Sequence, residues 1–173
     1  QKAKPVLVDC DLDTWNVKIE DIEKKINKKT KAIIVVHFAG LSCDMNEILK
    51  ISKKYSIKVI EDCAHAIETK YNNKQAGTLG DTGCFSFYST KNITTSEGGM
   101  LTTRNKKLAD RVKKLRLHGL SRDAWKRYSN IGKYKTYDIF EPGFKYNLTN
   151  MNAALGINQL KKINIFWKKR KKI

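Results

Sequence analysis

The sequence predicts an α/β domain: a largely parallel sheet flanked by helices. Three observations carry this. Short apolar runs, "PVLVD", "AIIVV" and "KVIED", alternate with stretches of helical periodicity. The runs are rich in Val and Ile, as strands buried on both faces are. The first two are each followed by a helix-length segment, enough for the right-handed crossover that parallel neighbours require.

In chain order, "PVLVD" (residues 5–9) is the first expected strand. Asn16 stands where a helix cap belongs, ahead of Ile19, Ile22 and Ile26 on one face. "KAIIVVHF" is the next strand. After the loop "AGLSCD", Asp44 and Glu47 have the spacing of a capping box. The helix they open runs to about Tyr55, with Ile48, Ile51 and Tyr55 on one side. "KVIED" follows as a strand. "YNNKQAGTLGD" is dense in turn residues and reads as a small hairpin or loop. "TGCFSFY" and "GGMLTTR" are two more strands, separated by a Ser/Thr-rich loop holding Lys91. Asn105 caps a helix to about Arg116. A long irregular stretch rich in aromatic residues follows. Thr149 or Asn150 then opens a final helix, whose Ala154, Ile157 and Leu160 form a core or dimer face.

Composition narrows the function classes. The chain has 173 residues, 40% of them hydrophobic, enough for one packed domain or a large piece of one. No run approaches the ~20 apolar residues of a membrane helix. The net charge is +18, but the lysines are spread along helix faces such as "EKKINKKTK". Aromatic residues do not alternate with them as a base-stacking surface requires, so no specific nucleic-acid partner is expected. The dense tail "WKKRKKI" reads as a solvated helix end. Cys10, Cys43, Cys63 and Cys84 show no CxxC spacing. They suit buried free thiols in a reducing compartment, hence a cytoplasmic protein, and no metal site is expected.

In parallel α/β sheets, ligands gather beyond the carboxyl ends of the strands. His37, Asp62, Ser86 and Lys91 all follow or end expected strands. A lysine partly withdrawn from water becomes available as a neutral amine, able to condense with an aldehyde. Pyridoxal phosphate (PLP) needs such a lysine and a carboxylate for its pyridine nitrogen. Asp62 suits the second role, and Ser86 with Thr90 offers hydroxyls for a phosphate. Spacing alone leaves simpler readings open. Asp62 also fits a helix cap, and Ser86 a bond to its own backbone. His65 fits a core histidine as well as a cofactor neighbour. His37 reads as structural, with a substrate-side role as the alternative.

Longer patterns add a resemblance. "HFAGLSCDM", "EDCAHA", "GDTGCFSFYSTKN", "EGGM", "LRLHGLSRDAWKRY" and "EPGFKYNLTNMNAALGINQLKKI" occur here in the order in which similar segments occur in the DegT/DnrJ/EryC1/StrS family of PLP-dependent sugar aminotransferases. The similarity extends from about Pro5 to Ile163 and is strongest to the branch of UDP-4-amino-4-deoxy-L-arabinose aminotransferase and related 4-amino-sugar enzymes. It implies the large domain of the fold-type-I aminotransferases. Lys91 matches the lysine that binds the cofactor aldehyde, and Asp62 the carboxylate on the pyridine nitrogen. Ser86 matches a phosphate-binding serine, and His65 the position beside the ring. Asn147 matches an asparagine that reaches the cofactor phosphate of a neighbouring subunit, so a homodimer with shared sites is implied. Arg122, Arg127 and Lys145 are candidates for nucleotide phosphates. The implied reaction moves an amino group from glutamate to a nucleotide-linked keto-sugar. Two relatives without that activity, a non-catalytic regulator and a sugar dehydratase, usually lack the lysine present here. Family members are longer on both sides. Residues 1–145 are therefore expected to be part of a large domain incomplete at both ends, with 146–173 a helix leading towards a small domain. Such a fragment is expected to be inactive or poorly folded alone.

Overall fold

The computed structural model describes residues 2–120 and 138–173. They divide into two compact units, Gln1–Arg104 with Asn150–Ile173, and Asn105–Thr149.

The first unit is built on a four-stranded sheet. Its strands are β1 (Ala32–Val36), β2 (Lys58–Asp62), β5 (Thr82–Ser86) and β6 (Gly99–Thr102), in that spatial order. β1 pairs with β2 and β2 with β5 in parallel, while β6 returns antiparallel to β5. The sheet is thus mostly parallel, as expected. Between β2 and β5 lies a two-stranded hairpin, β3 (Lys70–Tyr71) and β4 (Lys74–Gln75). Its turn residues Asn72 and Asn73 both have positive φ, +47° and +61°. That is the conformation two-residue hairpins demand and Asn tolerates.

Register fixes which side chains share a face. Val36 lies opposite Asp62, and Asp62 opposite Cys84. Side chains alternate along a strand, so Val35, Val59 and Glu61 point to one face, and Ile34, Val36, Asp62, Cys84 and Ser86 to the other. The first face is covered by α1 (Ile19–Lys25) and α2 (Met45–Tyr55). Ile22, Val35, Cys43, Met45, Ile48 and Val59 form its core. On the second face, Ile34 and Val36 at the edge strand remain 65% and 42% exposed.

α2 starts with one half of the expected capping box: Asp44 accepts the Glu47 N–H at 3.3 Å, while the Glu47 carboxylate pairs with Lys50. Asn16 departs from expectation. α1 begins after Lys18 with no side-chain cap. Asn16 is instead buried, donating to the Leu41 carbonyl at 3.1 Å and accepting the Phe38 N–H at 3.0 Å. It ties the N-terminal segment to the short 3₁₀ turn after β1, Phe38–Gly40. Residues 5–9 also depart from expectation, for they form no strand. Among the described residues no strand offers them a ladder, and Val6 and Leu7 are exposed.

The last element of this unit is α4 (Asn150–Arg170). Ala154, Ile157 and Leu160, expected as a core or dimer face, are exposed and so take no part in the core of this unit. The half-buried positions are Asn152, Ala153, Gly156, Gln159, Ile163 and Phe166. The second unit contains α3 (Lys106–Leu115), capped by Asn105, which accepts the Leu108 N–H at 3.1 Å. In it Arg111 pairs with Glu141 at 2.9 Å, and Phe144 stacks on Tyr146. Arg122 and Arg127 lie outside the described residues.

Candidate active site

β2 ends in two adjacent carboxylates that face opposite ways. Glu61 points to the helix-covered face and is fully buried. Its oxygens accept the Gly77, Leu79 and Gly80 N–H groups at 2.7, 2.8 and 2.6 Å, and His37 Nε2 approaches at 3.0 Å. His37 Nδ1 accepts the Cys43 N–H at 3.2 Å, so the ring proton sits on Nε2 and is donated to Glu61. Burial raises the Glu61 pKa, but the bonds from His37 and the three amides outweigh it and hold the carboxyl below its ordinary value. Gly77 belongs to this arrangement: it has φ +80°, and a Cβ there would meet the Phe85 ring at 2.5 Å. His37 is therefore structural.

His37, Glu61 and Cys63 also bring three metal-ligating atoms within 4.8 Å of one another. Four N–H donors already occupy Glu61, His37 Nδ1 is engaged, and burial pushes the Cys63 thiol up to about 12. The trio is a hydrogen-bonded knot that locks the β1 and β2 ends to the 77–80 turn.

Asp62 points the other way and is half-buried. Among the described residues its carboxylate makes one hydrogen bond, accepting the Ala64 N–H at 3.0 Å. This is a local turn bond, and it leaves the second carboxylate oxygen available. Ser86 shares this sheet face, two residues beyond the Cys84 that pairs with Asp62. Its hydroxyl accepts the Tyr88 N–H in a long bond of 3.4 Å.

Beyond these strand ends the chain forms a recess of about 290 Å³. Phe38 and Ala39 from the turn after β1 line it, with His65 from the turn after β2. Thr90, Lys91 and Asn92 from the β5–β6 loop complete it. Three strand ends thus converge, as ligand sites in open parallel sheets do. His65 is exposed, and its ring meets Phe38 edge-on with centroids 6.2 Å apart. It is not a core histidine. Phe38 is stacked in turn on Trp15, at 6.0 Å. Lys91 is half-buried, and its backbone N–H closes a turn onto the Tyr88 carbonyl at 3.0 Å.

Two of the residues singled out from sequence, Lys91 and His65, therefore share a recess. Asp62 and Ser86 share a sheet face at the same carboxyl edge. Asn147 and Lys145 are exposed and belong to the second unit. Sequence reading missed Phe38 and Trp15; the only signal was an aromatic residue directly after His37. An amine, an imidazole, an aromatic ring and the Thr90 hydroxyl around one recess fit a small planar aldehyde cofactor.

Comparison with known proteins shows the family. The profile of the DegT/DnrJ/EryC1/StrS aminotransferase family matches residues 1–173. MJ1066 of Methanocaldococcus jannaschii is 57% identical over all of this chain and 45% of its own length. Spore coat polysaccharide biosynthesis protein SpsC of Bacillus subtilis is 44% identical over 99% of this chain and 44% of its own. The PLP form of Spr1654, a putative sugar aminotransferase of Streptococcus pneumoniae, superposes with a TM-score of 0.85 at 31% identity, covering 98% of this chain and 46% of that one. The chain spans about half the length of these relatives. It belongs to the DegT/DnrJ/EryC1/StrS aminotransferase family.

Proposed function

We propose that these residues form the lysine-bearing part of a PLP-dependent aminotransferase that moves an amino group from glutamate to a nucleotide-linked keto-sugar. The observation that carries the reading is the convergence of Lys91 and His65, from different strand ends, on one recess. Membership of an aminotransferase family and a relative in polysaccharide biosynthesis support it.

When bound, PLP supplies an aldehyde and an electron-withdrawing ring that stabilises negative charge on the substrate carbon. Lys91 binds that aldehyde through Nζ. When free, Nζ would take the proton from the substrate carbon and return it to the former aldehyde carbon across the shared nitrogen, as general base and then acid. Asp62 keeps the pyridine nitrogen protonated through its open carboxylate oxygen. Ser86 donates its hydroxyl to the phosphate, and His65 stands beside the ring. Asn147 serves the phosphate of a neighbouring subunit, which makes the working unit a homodimer. Glutamate leaves as 2-oxoglutarate, the keto-sugar leaves as an amino sugar, and no external oxidant is required. In the whole protein, residues 1–145 belong to the large domain and 146–173 lead towards the small one. The setting is the cytoplasm.

The test is an assay of the whole protein with glutamate and nucleotide-linked 3- and 4-keto-sugars, following 2-oxoglutarate. Formation of 2-oxoglutarate that depends on both the keto-sugar and Lys91 is expected. Release that is unchanged in Lys91→Ala contradicts the assignment.

A further inference from the structure

One stripe of α4 holds the lysine loop at three points. Asn152, Gly156, Gln159, Ile163, Phe166 and Arg170 follow at intervals of four, three, four, three and four residues, which places them on one helix face. Asn152 Nδ2 donates to the Glu97 carbonyl at 3.1 Å. Gln159 Oε1 accepts the Thr94 N–H at 2.9 Å. Arg170 Nη2 donates to the Asn92 carbonyl at 2.9 Å. Gly156 permits this approach, since a Cβ there would stand 2.7 Å from Thr95 Cγ2.

The third point reaches the residue beside Lys91 and includes a buried charge. The Glu68 side chain is 7% exposed. One of its oxygens accepts Arg170 Nη1 at 2.7 Å, and the other accepts Asn92 Nδ2 at 2.7 Å. Asn92 is therefore gripped twice, by its amide through Glu68 and by its carbonyl through Arg170. Besides the Lys91 N–H bond to the Tyr88 carbonyl that closes the turn, the loop's own bonds hold Phe87 to Gly98 and Thr95 to Phe87, near the strand ends. The Glu68–Arg170 grip instead fixes the lysine turn from outside. Charge-assisted bonds of this kind are the strong ones, and losing the carboxylate would take the shared acceptor from Asn92 Nδ2 and Arg170 Nη1.

We infer that Glu68 is a positioning residue for Lys91: through Asn92 and Arg170 it fixes the backbone from which the lysine enters the recess. The inference rests on the reading of Lys91 as the cofactor-binding amine. A lysine stem is long and flexible, so anchoring its origin decides how often Nζ stands in attacking geometry.

The experiment uses the whole protein stripped of cofactor. PLP is added, samples are reduced with borohydride at intervals, and pyridoxyl-Lys91 is counted by peptide mass. Backbone hydrogen exchange over residues 88–92 is followed in parallel. Glu68→Gln is expected to slow attachment about tenfold, the order expected for a slightly misplaced reactive group, and to speed exchange of that turn. In the double variant E68Q/N92D, donor and acceptor trade places. Its attachment rate is expected to return to within about threefold of wild type, a coupling a general loss of stability would not produce. A folded E68Q with wild-type attachment, or a double variant no faster than E68Q, overturns the inference. Should E68Q fail to fold, Arg170→Met at the exposed helix end reads the same rate, and an unchanged rate there overturns it too. If wild type attaches no cofactor at Lys91, the reading of Lys91 falls first. Exchange over 88–92 still decides whether Glu68 tethers the turn, and equal exchange in wild type and E68Q ends that claim.

Discussion

Glu61 and Asp62 are neighbours in sequence and opposites in chemistry. Glu61 is fully buried, and four N–H donors use its oxygens. Asp62 faces the other side of the same sheet, half-buried, with one local bond from Ala64. Strand alternation alone separates them. The comparison teaches that a buried carboxylate whose bonds are complete holds the fold, while one with an open oxygen at a strand end is free to meet a ligand.

The largest effect that would break this contrast is on turnover. In the whole protein, Asp62→Asn is expected to lower aminotransfer by about 10²–10⁴-fold, the range of a lost acid–base partner, with little change in thermal midpoint. Glu61→Gln is expected to do the reverse. It leaves a buried amide among donors and costs about 3 kcal/mol or more of stability in denaturant unfolding. An Asp62→Asn protein that unfolds as readily as Glu61→Gln would erase the distinction.

Acid sharpens it. The folded-state pKa of Glu61 lies below its ordinary 4.5. Its contribution to stability is therefore complete above that ordinary value and lost as pH falls further, towards the lower folded-state pKa. Thermal midpoints followed down through pH 4.5 should fall more steeply in wild type than in Glu61→Gln.

Thiols provide a smaller test of the same knot. Burial pushes Cys43 to about 11 and Cys63 to about 12, whereas Cys10 is exposed. At neutral pH, iodoacetamide should alkylate Cys10 and spare Cys43 and Cys63 until the fold opens. Early modification of Cys63 would show the knot to be loose. The smallest effect is at the helix starts. Asp44→Ala, which removes the acceptor of the Glu47 N–H, should cost about 1 kcal/mol.

Sequence patterns revealed much of the sheet, because β1 and β2 are short Val- and Ile-rich runs separated by a helix-length segment. The double Asn of the hairpin was equally readable, since few residues accept positive φ. Asn16 misled because the side chain that caps a helix also bridges two loops, and only the fold shows which groups stand nearby. Residues 5–9 misled because a strand exists only beside a partner. On α4, the apolar residues did not mark the half-buried stripe, which includes Asn152, Gly156 and Gln159, whose value lies in reaching the lysine loop. Lys91 was legible as a lone cation in a Ser/Thr loop and by resemblance. The Glu68–Asn92–Arg170 grip was not, because it joins residues up to 102 positions apart.

The central claim is that one amine, Lys91, binds the cofactor. Its most direct test is to saturate the whole protein with PLP, reduce with borohydride and map the pyridoxyl group by peptide mass. The account predicts a single modified residue, Lys91, and none in Lys91→Ala. Modification of another lysine with Lys91 left untouched would contradict it.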